Sequence, residues 1–292
     1  MSYFVVLTLT GIAAGMIYAA LALSLVIIWR ATRVVNFAQG ALAMTTTYIA
    51  LAVIQATGNY WIGFVAALLA GLVLGAVAER FLVRWVEAGP PLNAVILTLG
   101  LLLVLEAVVP MIWGAQIRSF PAPFSIAAIE SGSFSIAVSP FNIFTIGAVA
   151  IVVLGLFFLF RGTALGLTMR ASAFAPEVSR LLGVRVGRLL ALGWGLAALT
   201  GALAGMLVAP SLLLYPNYMD AILVYGFTAA VLGGLDSAVG AVIGGVLIGL
   251  ALSYIGGYGG GDLESIGALV ILIAILMLRP QGLFVSGTER RV

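Results

Sequence analysis

The chain has 292 residues, of which 63% are hydrophobic and only 8% charged, and its mean hydropathy is +1.25. A soluble domain carries roughly 25% charged residues, so this composition cannot cover a surface with polar groups, and lipid must be the solvent for much of it. There is no Cys, no His and no Lys, since all 13 basic residues are Arg. That excludes disulfides and thiolate chemistry, His-based catalysis or metal binding, Schiff bases, and a GxxxxGK[ST] nucleotide loop. If ATP drives this chain, another chain must hydrolyse it, and a membrane-embedded enzyme has almost no chemistry left to it.

A membrane span needs about 20 apolar residues, so the length allows roughly eight to ten spans in one all-α domain, residues 1–292. Met1-Ser2-Tyr3-Phe4 puts no basic side chain ahead of the first apolar run, 8–29, which is therefore expected as a retained span and not a cleaved signal. Arg30 and Arg33 follow. Asn36 and Gln39 are three residues apart, on one helical face, and Gly40 permits a break. The segment Asn36–Gly40, with Phe37, reads either as a broken helix lining a solute pathway or as a polar helix start at the interface. The run 38–56 holds Thr45, Thr46 and Thr47, read as threonines bonded back to their own helix. Asn59, Tyr60 and Trp61 read as interfacial anchors before the run 61–83.

In the run 93–113, Glu106 is the sharpest polar feature, because ionised side chains are costly at that depth. It faces either a pathway, where it meets an ammonium group, or a neighbouring helix, where it is protonated and hydrogen-bonded. The stretch 114–140, with Pro121, Pro123, Ser131, Ser133 and Ser135, is long enough for a small folded cap. After the run 141–160 comes a less apolar stretch, 161–188, holding five Arg. Its core, Ser172 to Leu182, suits a short helix capped by Ser172, with Pro176 and Glu177 in the first turn, or started by Pro176 near Ala175, and ended by Gly183. Such a helix either lies on the membrane surface or docks into a partner. The runs 189–211, 219–235, 238–256 and 264–278 complete nine candidate spans. Tyr215, Asn217, Tyr218 and Asp220 read as interfacial residues, and Tyr258, Asp262 and Glu264 lie in a Gly-rich connection suited to a partner.

Twelve of the 13 Arg fall on alternate connections and the tail (residues 30, 33, 80, 84, 161, 170, 180, 185, 188, 279, 290 and 291), with Arg118 alone on the other side. Positive charge stays cytoplasmic, so the amino end is expected outside and the carboxyl end in the cytoplasm. Gly-xxx-Gly pairs at 11/15, 71/75, 201/205, 240/244 and 245/249 read as close helix crossings or as hinges.

Several patches resemble the permeases of branched-chain (hydrophobic) amino acid ABC importers. These are Gly15 through Leu25 followed by Asn36-Phe37-Ala38-Gln39-Gly40; Leu97-Thr98-Leu99-Gly100-Leu101; Gly166-Leu167-Thr168-Met169-Arg170-Ala171 with Leu181-Leu182-Gly183-Val184; Phe227 through Ser237; and Arg279-Pro280-Gln281-Gly282-Leu283-Phe284. They keep the family's order over residues 11–284. The sequence departs at Asp236, where the family usually has Gly, and at Glu106, where it often has Gln. The resemblance implies a multi-pass inner-membrane subunit with no cofactor of its own. Its implied partners are a second permease, commonly a different one, two ATPases carrying ATP and magnesium, and an external solute-binding protein. Taken with the reading of the residues, it puts Asn36, Phe37, Gln39, Gly40, Thr98 and Glu106 on the expected pathway. Coupling to the ATPases then rests on Met169, Arg170, Ala171, Glu177, Leu181, Leu182 and Gly183. The resemblance covers branched-chain amino acids, other amino acids and small amides such as urea as solutes, without choosing among them. An ion-coupled secondary transporter using Glu106 is the alternative; a channel has no ring of like charges or filter repeat to support it.

Overall fold

The structure, a computed structural model, describes residues 3–86, 89–127, 129–131, 134–136 and 138–284. Ser133, Arg290 and Arg291 of the sequence reading lie outside those residues. Eleven α-helices and one short hairpin make up the described chain, in the order α1 (Tyr3–Thr32), α2 (Gln39–Thr57), α3 (Tyr60–Phe81), α4 (Pro91–Trp113), β1 (Ile129–Ser131), β2 (Phe134–Ile136), α5 (Pro140–Gly162), α6 (Ala164–Phe174), α7 (Pro176–Leu181), α8 (Val186–Leu212), α9 (Asp220–Gly233), α10 (Ala238–Gly259) and α11 (Leu263–Leu278). All nine expected apolar runs are helices. Among the described residues seven are long and apolar enough to cross a membrane, while α9 and α11 are shorter.

The helix ends follow from local chemistry. Gly58 closes α2 at φ +69°, its N–H bonded to the Ile54 carbonyl, and the Asn59 side chain accepts from the N–H groups of Trp61 and Ile62 to open α3. Ser139, Thr163 and Ser237 cap α5, α6 and α10 by accepting from the backbone N–H three residues on.

Helices α1, α2 and α8 are the most buried, whereas α4 and α5 present most of their surface outward. All five glycine pairs sit at crossings. Gly11 and Gly15 meet Gly249 and Gly245 where α1 crosses α10, Gly71 and Gly75 lie on Ala198 and Trp194 of α8, and Gly240 and Gly244 lie on Gly233 and Ala229 of α9. Gly201 and Gly205 receive Gln39, Ala43 and Thr47 of α2. Helices in lipid gain little from hydrophobicity alone, so close backbone contact supplies the cohesion.

The described residues of the stretch 114–140 form a small cap. Its strands pair antiparallel, Ile129 opposite Ile136, Phe120 is buried, and Arg118 bridges to Leu214 through backbone bonds of 2.8 and 2.9 Å. Phe124, Trp61 and Phe144 bring the cap, α3 and α5 into one aromatic cluster.

Two helices occupy 161–188. Ser172 is not a cap: it lies buried inside α6, because Thr163 opens a helix nine residues earlier. The second helix starts after Ala175 with Pro176 at its first position and stops at Leu182, with Gly183 at φ +81°. Arg84 forks onto Glu79 at 3.2 and 3.0 Å and donates to the Gly187 carbonyl at 2.7 Å, clamping the end of α3 to the start of α8.

Candidate functional site

Three groups of residues carry chemistry. The first is the joint between α1 and α2. The chain leaves α1 at Thr32, turns through Arg33 at φ +58°, and re-enters the bundle before α2 begins. Ala31 lies beside Gly193 of α8, whereas Gln39 lies beside Ala197 and Gly201. At 1.5 Å per residue α2 therefore starts roughly 6 Å deeper along α8 than α1 ends. Irregular backbone at that depth survives only when protein satisfies its polar groups. Here Asn36 donates to the Gln39 side-chain oxygen at 2.9 Å and accepts from the Ala38 N–H at 3.1 Å. Gln39 in turn donates to the Ala197 carbonyl at 3.0 Å. Asn36 and Gln39 are fully buried, Phe37 is half-buried, and Gly40 is packed under Leu223 and Met219 of the α9 region.

The second group lies toward the opposite ends of the helices. Glu106 on α4 is within hydrogen-bonding reach of Asp220 and Asn217, at the start of α9. The two carboxyl groups and the Asn217 amide therefore gather acceptors and a donor at this end of the bundle. Asn217 holds φ +72°, and its N–H meets the Met44 sulfur at 3.4 Å. Tyr218 is no interfacial anchor: it is 1% exposed and its hydroxyl bonds to Thr47 and to the Gly205 carbonyl. Thr45, Thr46 and Thr47 all bond back to carbonyls of their own helix. Thr98 is buried and bonded to the Val95 carbonyl. Among the described residues no hydrogen bond joins Thr98 or Glu106 to the Asn36–Gln39 cluster.

The third group is α6–α7, on the face that carries Arg30, Arg33, Arg84 and Arg161. Leu181 is 88% exposed and Leu182 78%. Phe174, the last residue of α6, and Val178 on α7 are exposed as well; Leu181 and Leu182 follow Val178 by three and four residues, on one side of the short helix. Ser172 and Ser179 face inward and seat the two helices. Glu177 and Gly183 are exposed. Met169 points into the bundle beside Gly193, and Arg170 lines a cavity against α1, so these two lie behind the exposed apolar set. Ala171 is exposed on α6. Phe174 and Val178 were legible only as an i, i+4 apolar pair straddling Pro176. Asp236 does more than alter a turn: it pairs with Arg33 at 2.5 Å and ties the α9–α10 connection to the end of α1.

Seven helices long and apolar enough to cross a membrane, with a chain that re-enters the bundle between α1 and α2 and has its polar side chains satisfied there, define a multi-pass membrane protein. The chain belongs to the family described as branched-chain amino acid transport system permease component, which matches residues 7–278. It is 27% identical to the high-affinity branched-chain amino acid transport system permease protein LivH of Salmonella typhimurium, covering 96% of this chain and 95% of that one. It is 26% identical to BraD of Pseudomonas aeruginosa, over 94% and 93% of the two chains. The autoinducer 2 import system permease protein LsrC of Yersinia pseudotuberculosis is 27% identical over 65% of this chain and 53% of its own. The fold is similar to a chain of PsaBC from Streptococcus pneumoniae in complex with Fab, with a TM-score of 0.50, 14% identity, and coverage of 96% and 93%. The protein is thus a transport component and not an enzyme.

Proposed function

We propose that this chain is the membrane-spanning permease subunit of an ATP-driven ABC importer in the bacterial inner membrane, moving branched-chain or other amino acids or a similarly small polar solute such as an amide or urea. Family membership and the names of the relatives favour amino acids. The observation that carries the coupled mechanism is the exposed apolar set on α6–α7, which suits a cleft on a cytoplasmic ATPase. The Arg distribution favours the same side as cytoplasmic, with the amino end outside. Two ATPases bearing ATP and magnesium dock there, a second permease, commonly a different chain, completes the pathway, and an external binding protein delivers solute to the capped face. The pathway runs past the Asn36–Gly40 joint and α4, with Glu106 and its neighbours meeting the ammonium group.

The Glu106–Asp220 pair also favours a second reading, an ion-coupled transporter in which that pair carries a proton. Uptake of labelled leucine into proteoliposomes separates the two. The importer reading expects uptake only with the partner subunits and ATP. Uptake by the chain alone, driven by a pH gradient, overturns it.

A further inference from the structure

Helices α5 and α10 both pack on α1, and between them, toward the Arg-rich face, lies a cavity of about 890 Å³. Its floor is apolar, formed by Leu23, Val26 and Ile27 of α1. Its flanks include Phe157, Val239 and Ile243, which are 37%, 52% and 38% exposed, so apolar side chains of both α5 and α10 are left uncovered along it. At the end nearest α6, four guanidinium groups converge on it, from Arg30, Arg33, Arg161 and Arg170. They face one carboxylate, Asp236, which is already paired with Arg33. Arg161 stands 4.9 Å over the Phe157 ring, and Arg170 spends one donor on the Gly166 carbonyl. Arg30 makes no ion pair or hydrogen bond among the described residues; the charges acting on it are those of Asp236, Arg170 and Arg33. The tendency of Arg to stay on one side of a membrane explains why these residues share a face. It does not explain why they crowd one apolar groove with a surplus of positive charge.

We infer that this groove is a binding site for an anionic phospholipid of the leaflet on the Arg-rich side. The acyl chains lie on α1 between α5 and α10, and the phosphate takes up the donors of Arg30, Arg161 and Arg170. Basic side chains near a bilayer surface draw anionic lipids, and a guanidinium fork suits phosphate oxygens. An apolar trough that ends in uncompensated guanidinium groups matches both halves of such a molecule.

The test uses the full chain purified with the subunits that accompany it, stripped of lipid in neutral detergent. It is then titrated with phosphatidylglycerol or phosphatidylcholine of the same acyl chains, and bound lipid is read by native mass spectrometry. Phosphatidylglycerol is expected to be retained preferentially. Arg30→Gln with Arg161→Gln weakens its retention about thirty-fold, on a scale of about tenfold or less per basic group, and leaves phosphatidylcholine unchanged. Val239→Trp with Ile243→Trp fills the groove and also expels phosphatidylglycerol while every Arg remains, so a folding defect in one variant does not decide the matter. Equal retention of the two lipids, or undiminished phosphatidylglycerol in either double variant, overturns the inference. Displacement of phosphatidylglycerol by soluble glycerol phosphate at equal concentration overturns it too, by making the site one for free anions.

Discussion

Replacing Leu181 and Leu182 together by Ala separates docking from folding. In the isolated chain these side chains are 88% and 78% exposed, so they contribute little to its own core, and such surface changes usually stay within about 0.5 kcal/mol of the parent stability. Burying a Leu side chain fully is worth about 1.5–3 kcal/mol. Truncation to Ala keeps one carbon of four, so a docked pair loses about 2–4 kcal/mol, or roughly 30- to 1,000-fold in affinity for the ATPase. The assay pairs the thermal unfolding of the purified double variant with the amount of ATPase it retains during affinity purification, and with ATP-driven uptake after reconstitution. Expected are an unchanged unfolding temperature, loss of the ATPase and loss of uptake. Full retention of the ATPase with normal uptake refutes the docking assignment, and a parallel fall in unfolding temperature refutes the claim that the surface is free of a folding role.

Gln39→Ala strips the Ala197 carbonyl and Asn36 of their partner inside the bundle; an unsatisfied buried group costs about 1–3 kcal/mol, so denaturation monitored in detergent should show that loss together with reduced uptake. Gly201→Val drives a side chain into the Gln39 amide, and comparable loss of folded protein on size exclusion is the expected outcome. Arg84→Ala leaves Glu79, 1% exposed, without its fork. Breaking a buried pair costs about 3–5 kcal/mol, and the lower end is expected because Arg84 is itself 39% exposed; Glu79→Gln with Arg84→Ala should recover part of that loss in the same unfolding assay. Glu106→Gln keeps the shape of the side chain and removes its charge. If Glu106 meets an ammonium group, uptake should fall about tenfold or more through weaker solute binding, on the 1.5–3 kcal/mol scale of a charged hydrogen bond, with membrane insertion unchanged; unaltered uptake kinetics would return Glu106 to a helix-packing role.

Apolar runs and glycine spacing reveal the bundle because lipid imposes a simple rule: each span is nearly continuous in hydrophobicity, and each close crossing needs small residues. The site is harder to read, because burial there is decided by contacts distant in sequence. Asn36 and Gln39 are visible as a polar pair, but only the 3.0 Å bond to Ala197 shows that they hold a re-entering chain against α8. Tyr218 looks like an interfacial aromatic until Thr47 and Gly205, on two other helices, are seen to receive its hydroxyl. Glu79 stands five residues before Arg84 in the sequence, but only the bond from Arg84 to the Gly187 carbonyl, 103 residues on, shows that the pair clamps α3 to α8. At 161–188 Pro176 marks the start of α7 correctly. The helix before it is opened by Thr163, the residue after α5 ends, so no connection of its own separates it from the preceding span. Asp236 and Arg33 are 203 residues apart, a pairing no local spacing can suggest.

A chain that works as one part of an ATP-driven assembly should leave the membrane together with its partners. Affinity purification of the tagged chain from its native membrane in mild detergent, followed by mass spectrometry of the accompanying proteins, shows whether it does. Recovery of a second permease and two copies of ATPase subunits is expected. Recovery of this chain alone, still moving solute after reconstitution without ATP, would contradict it.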